Sequence, residues 1–413
     1  MGPAPVVSIS SNAAPRSPFG FVGRAGRAAR ALTTAASALT LAVGALTLAP
    51  APTHAADPIT TQEYVSYYGF DAAHEKGYTG KGITIALFDG PVDTSAPELA
   101  GANIVDKSRC TVNDSPDGVR HATDMATLLV SRYTGVAPDA TLYTYQISSE
   151  DSQPGGTCVR GADSTDSIDK LINQAVDDGA QIISISLSNS EHGSEIKWAI
   201  ARAISKGVII VASSGNGAKD ENISHLGRWS GVVGVTAINT DGTFASYSSW
   251  GNGVVTAAVG GPVNTLDANT NQPVTVQGTS YATPLVAGML ALARQKWPNA
   301  TTNQILQSLV HSGLNPNHEW NQYTGYGAID GGGLVIDDPS QYPDENPLLN
   351  KPGGSEPTAD EVADYADGIV SPSANEGIPD SYVYRGIDDK VVLYQADLKT
   401  PLHLGTSPRY HRK

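Results

Sequence analysis

Short apolar runs rich in β-branched residues punctuate the middle of this chain, at residues 83–88, 141–147, 181–187, 207–212 and 232–237. A run of this kind, with no polar alternation, reads as a strand buried on both faces, as in parallel sheets. Helical patterns lie between the runs. Ile168, Leu171, Ile172, Ala175 and Val176 recur at helix spacing over 167–178, and Ile196, Ala199, Ile200 and Ile204 do so over 195–205. Strands alternating with helices form βαβ units, whose crossovers cover the sheet. The expected fold is therefore α/β, a doubly wound, mostly parallel sheet with helices on both faces. A largely buried helix over 280–296 and an amphipathic one over 301–310 follow, and 323–335 closes the domain.

The flanks differ in character. Arg24, Arg27 and Arg30 precede an uncharged Ala/Leu/Thr-rich stretch at 31–49, a Pro-rich stretch, and Thr53-His54-Ala55-Ala56. That order is the pattern of a secretory signal peptide over 1–55, cleaved after Ala55. A retained membrane anchor is the competing reading. Residues 56–82 read as a polar N-terminal lead-in, 83–336 as the domain, and 337–413 as an acidic C-terminal extension. The extension is rich in Asp, Glu, Pro, Gly and Ser and is expected to be poorly ordered. A capping box, Thr358 with Glu361, opens a short helix within it, and 382–394 is a candidate hairpin. It contains no run of membrane length, so a secreted, extracellular monomer is expected.

A formal net charge of -15, with no basic stripe interleaved with aromatics, argues against nucleic acid and anionic membrane surfaces as partners. The two cysteines, Cys110 and Cys158, both sit in polar loop sequence. In an oxidising compartment they are expected to form a disulfide. Neither has the close His or Cys company of a metal site.

Four strings carry chemistry. Ile85-Ala86-Leu87-Phe88-Asp89-Gly90 ends a strand in a carboxylate, at the edge where open α/β sheets bind ligands. An Asp there also commonly caps a turn. His121-Ala122-Thr123 reads as the opening of a helix whose small residues allow close packing; alone, it reads equally as a surface His. Ala212-Ser213-Ser214-Gly215-Asn216-Gly217 follows a strand, and Asn216 offers an amide donor or a turn residue. Gly278-Thr279-Ser280-Tyr281-Ala282-Thr283-Pro284 sets a Ser at a helix N-terminus, where free N–H groups and the positive dipole end favour developing negative charge. Pro284 is expected in the first turn of that helix. A plain Ser N-cap would not account for the whole string.

Taken in order, these strings resemble the subtilisin-like serine peptidases. The family's Ser motif, Gly-Thr-Ser-x-Ala-x-Pro, is present unchanged at Ser280. Gly135-Val136-Ala137-Pro138, Ser186-Leu187-Ser188 and Gly325-Tyr326-Gly327 resemble supporting strings, and the resemblance covers about residues 60 to 336. Two departures stand at the site: Ala122 where the family has Gly, and Gly90 where it has Ser or Thr.

The resemblance implies a secreted serine endopeptidase with Asp89, His121 and Ser280 as triad, and with Asn216 and the Ser280 N–H as oxyanion donors. It implies polypeptide substrates bound as an extended strand. Ser186, Leu187 and Ser188 would form one wall of the S1 pocket, and Ser213, Ser214 and Gly215 the other. No cofactor is required. The loop that carries a tight calcium site in many relatives is short here; other acidic loops offer oxygen ligands, but none has a recognisable spacing. The lead-in is shorter than a typical domain of ~50 residues, which leaves no room there for an inhibitor domain and suits a dedicated processing peptidase. The alternative is a catalytically silent subtilisin-like peptide-binding module, favoured only by Ala122 and Gly90. Glu150, Asp151, Asp163 and Asp166, opposed by Arg160, predict either a solvated loop surface or a modest preference for Lys or Arg at P2 or P4.

Overall fold

In the computed structural model, the described residues are 57–149, 152–158, 164–187, 194–220, 226–316, 319–351 and 356–367. The candidate signal peptide and the candidate hairpin at 382–394 lie outside them. The lead-in forms two short helices, α1 (Glu63–Tyr68) and α2 (Phe70–Glu75). Their Tyr64 and Phe70 are buried in the main core, so this segment is part of the fold.

Seven strands make one sheet: β1 (Thr84–Asp89), β2 (Asn103–Asp106), β3 (Thr141–Gln146), β4 (Ile182–Ile185), β5 (Ile209–Ser213), β6 (Val232–Asn239) and β7 (Val254–Gly261). Their order is β2-β3-β1-β4-β5-β6-β7, and every pairing is parallel. The order reverses between β1 and its neighbours β3 and β4, which makes β1 the switch point where such sheets bind ligands. A hairpin, β8 (Val263–Leu266) with β9 (Pro273–Val276), stands apart from this sheet.

Side chains alternate across a strand, and β1 shows the consequence. Ile85 and Leu87 join the core on one face with α3 (Pro116–Val130) and α6 (Thr279–Lys296). Ala86 and Phe88 join the other core, under α4 (Ile168–Asp177) and α5 (Ser194–Ser205). The doubly wound architecture expected from the apolar runs is thus present. The amphipathic pattern after α6 becomes α7 (Thr302–His311), and α8 (Gly331–Ile336) follows.

Only part of the extension lies among the described residues, and that part packs on the domain. Residues 337–351 and 356–367 are ordered against the domain. Leu348 is fully buried in the main core. The Lys351 ammonium is buried and donates to the carbonyl oxygens of Gly227, Val232 (2.9 Å) and Gly253 (3.2 Å). The capping box opens α9 (Ala359–Ala366) as expected, with Thr358 and Glu361 bonding reciprocally. That helix lays Val362 and Tyr365 on Trp198 and Ala201 of α5, and Glu361 pairs with Lys197 at 2.7 Å. In this described part, a few well-placed apolar and cationic residues anchor an otherwise acidic, Pro-rich segment.

Candidate active site

β1 delivers Asp89 to its C-terminal end, where the side chain is buried. Asp89 Oδ1 accepts the Gly90 N–H at 2.8 Å and faces His121 Nδ1 at 3.0 Å. Asp89 Oδ2 is buried without a hydrogen-bond partner among the described residues.

His121 does not open its helix. α3 starts five residues earlier at Pro116, with Ser115 as N-cap accepting the Gly118 N–H at 3.1 Å. The imidazole therefore projects from the second turn, on a frame that buries Ala122 and Ala126 completely. Its side chain keeps 27% of its surface exposed, enough to meet a substrate. The Tyr281 ring packs edge-on to it at 6.2 Å. Burial pushes the His121 pKa down, but the charges of Asp89, Asp124 and Asp114 and the Asp89 hydrogen bond outweigh it, so the net direction is up. Stabilising the imidazolium in this way suits a general base.

Ser280 lies in the first turn of α6, after Gly278 as N-cap. Its Oγ donates to the Ser186 carbonyl at 3.1 Å, and Ser186 Oγ donates back to the Ser280 carbonyl at 2.9 Å. No hydrogen bond joins Ser280 to His121 among the described residues; catalytic contacts in a ligand-free site commonly tighten only when substrate binds. Pro284 falls one turn deeper than the sequence reading placed it. An N–H at 284 would bond to the carbonyl four residues back, that of Ser280. Proline leaves that carbonyl free for Ser186.

Asn216 stands exposed beyond β5. Its Oδ1 accepts from the Thr279 N–H at 2.8 Å and from Thr279 Oγ1 at 3.0 Å. A backbone N–H can only donate, so this contact fixes which end of the amide is oxygen and leaves Nδ2 as the outward donor. Thr279 is a residue the sequence reading passed over, although it stands inside the Ser motif.

Of the expected S1 walls, Ser186 is buried and Leu187 half-buried beside it, while Ser188 lies outside the described residues. Ser213 and Ser214 are buried, and the Ser214 hydroxyl donates to the Ser249 carbonyl at 3.0 Å. Those two residues would offer backbone rather than hydroxyls. Gly215 N–H donates to Thr279 Oγ1 at 3.2 Å. Cys110 and Cys158 are joined in a disulfide. Asp166 is turned inward, accepting from Ser148 N–H at 2.8 Å and Ser164 Oγ at 2.7 Å, so it is no part of an acidic rim. Glu150, Asp151, Arg160 and Asp163 lie outside the described residues.

The sequence pattern of the Subtilase family matches residues 80–327. A thermostable alkaline protease of Halalkalibacterium halodurans is 30% identical over 275 residues, which span 66% of this chain and 71% of that protein. Subtilisin BL of Lederbergia lenta is 32% identical over 245 residues, 58% of this chain and 87% of that protein. Among solved structures, the MycP3 protease from the type VII (ESX-3) secretion system superposes with a TM-score of 0.57 at 24% identity, covering 68% of this chain and 90% of that one. The prenylagaramide maturation protease PagA gives 0.53 at 22% identity, covering 65% and 97%. At these identities the two structures show likeness of fold.

Proposed function

The chain belongs to the subtilase family, and from that premise we propose that it is a secreted peptidase in which Asp89, His121 and Ser280 act as the catalytic triad. As a serine-type endopeptidase it acts on polypeptides. Ser280 Oγ attacks the scissile carbonyl while His121 Nε2 takes its proton. His121 then returns the proton to the leaving amine, and the acyl group stays on Ser280 until water, activated by His121, releases it. Asp89 accepts the Nδ1–H throughout, fixing the tautomer and stabilising the imidazolium. The oxyanion that forms at each step is held by Asn216 Nδ2 and the Ser280 N–H.

The observation that carries this reading is the Thr279 clamp on Asn216 Oδ1, which fixes the amide beside the α6 N-terminus, where Ser280 sits, with Nδ2 as its donor end. Replacing Ser280 with Ala is expected to abolish hydrolysis of an unstructured protein substrate, and labelling by a fluorophosphonate, with the fold unchanged. Turnover near that of the wild type would remove Ser280 from its role. The silent-module alternative predicts no labelling of the wild type.

Export is supported by the Arg-rich, uncharged and Ala55-Ala56 sequence order at the N-terminus, and by the disulfide. Among the described residues no helix is long and apolar enough to cross a membrane. A dedicated processing role is supported by the lead-in, which contributes Tyr64 and Phe70 to the core instead of forming a separate domain. A monomer suffices for all of this chemistry.

A further inference from the structure

Gly90 and Gly118 face the same object, the carboxylate of Asp114. A Cβ added at Gly90 would lie 2.8 Å from Asp114 Oδ2, and one at Gly118 would lie 2.6 Å from the same atom. Both glycines therefore clear space for an acid wedged between the end of β1 and the first turn of α3. The departure at Gly90 thus has a structural cause: a carboxylate from another segment fills the space its side chain would take. That added Cβ at Gly90 would also lie 3.8 Å from the Ala122 Cβ, beside His121 in sequence. Asp114 acts on the imidazole through space, as one of the charges that raise its pKa.

The carboxylate is held but not consumed. Oδ1 accepts the Ser115 N–H at 2.9 Å, while Oδ2 accepts no hydrogen bond among the described residues. Its segment is rigid. Cys110 is tied to Cys158, Val112 N–H donates to Gln146 Oε1 at 2.8 Å, and Ser115 caps α3. Asp114 is half-buried, so a cation reaching it would be less screened than on an open surface.

The sheet order says which substrate residue meets this acid. The proposed S1 walls come from the ends of β4 and β5, whereas β1, Asp89 and His121 lie on the far side of β4. In an extended peptide, adjacent side chains point to opposite sides. A residue whose neighbour fills the β4–β5 gap turns its own side chain back across His121 towards Asp114. Resting on the triad reading above, we propose that Asp114 determines specificity by selecting Lys or Arg at P2, the substrate residue just N-terminal to the one in the S1 pocket. The cationic preference anticipated from loop acids is thereby assigned to a different residue, with one subsite.

The test uses peptide mixtures randomised at P1 and carrying Lys or its neutral isostere norleucine at P2, assayed on the full-length secreted enzyme at low salt. A half-buried charge pair lies between an exposed ion pair and a full charged hydrogen bond, so kcat/KM is expected to favour Lys by about ten-fold. In Asp114→Asn the preference should fall below about two-fold through loss of Lys cleavage. Asp114→Glu should keep most of it. Circular dichroism on each variant identifies any that fails to fold; if Asp114→Asn does, Asp114→Ser removes the charge in its place, and a Lys preference that survives in it counts equally against the proposal. A Lys preference that survives in Asp114→Asn, or its absence in the wild type, overturns the proposal. Cleavage of neither mixture by the wild type would strike the triad reading itself.

Discussion

Lys351 is a buried lysine, and its titration gives a sharp test of how the extension is held. Its ammonium is buried among three carbonyls, and no carboxylate pairs with it among the described residues. Burial pushes its pKa from 10.5 down to about 7. At pH below about 7 the lysine is protonated in both the folded and the unfolded chain, and the native state carries the whole cost of the buried charge. Between about 7 and 10.5 the unfolded chain holds the proton and the native chain releases it. The unfolded state then binds more protons, so stability rises with pH across that window and is lost again as pH falls through the folded value. The full difference corresponds to about 5 kcal/mol. That figure is a ceiling, because each carbonyl bond to the ammonium favours the charged form. Lys351→Met removes the titration at similar side-chain length, with a pH-independent effect on the three carbonyls. Urea unfolding of both chains, each carrying Ser280→Ala to prevent self-digestion, should be compared at about pH 6 and about pH 10. Lys351 is expected to become more stabilising relative to Met at the higher pH, by one to several kcal/mol. Parallel behaviour at the two pH values would mean that the carbonyl cage offsets burial in full, and the argument from desolvation would fall.

Two further outcomes follow from the geometry. Asn216→Ala should lower kcat by about 10²–10³ with little change in KM, a magnitude familiar from subtilisins, because the donor acts on charge that develops in the transition state; an unchanged kcat would leave Asn216 as a turn residue. Leu348→Ala, at a site with no exposed surface, should cost about 2–5 kcal/mol in chemical denaturation, and a loss under about 0.5 kcal/mol would show that the extension contributes no packing.

The parts of the fold that could be read from sequence were those whose local pattern and tertiary setting agree. β4 and β6 are rich in Ile and Val, β1 carries Ile, Leu and Phe, and all three are buried on both faces, so composition alone marks them. β7 is buried throughout as well, but its sequence, Val-Val-Thr-Ala-Ala-Val-Gly-Gly, is diluted with Ala and Gly. Those residues have low strand propensity, and only the neighbouring β6 makes a strand of them. The start of α3 was hidden for a related reason. Ser115-Pro116-Asp117-Gly118 reads as a turn, whereas Ser as N-cap and Pro at the first helical position are equally the signature of a helix start. Lys351 and Leu348 gave no signal, since what buries them is the surface formed by the domain itself.

The candidate site divides along the same line. Gly278-Thr279-Ser280-Tyr281-Ala282-Thr283-Pro284 was legible as a unit because nearly every member has a separate constraint. Gly278 leaves room beside Asn216, since a Cβ there would sit 3.2 Å from Nδ2. Thr279 orients that same amide through two hydrogen bonds. Ser280 stands in the first helical turn, and Pro284 frees the carbonyl that Ser186 holds. A string with so many independent demands does not arise from capping alone. Asp114 is the opposite case. Neither it nor Gly90 carries a pattern, and they are 24 residues apart in sequence. Read singly, Gly90 looks like the loss of a side chain next to the Asp of the triad. Once the fold brings the two together, the same glycine is what admits a second carboxylate beside His121. The departure that favoured a silent module becomes an argument for substrate selection.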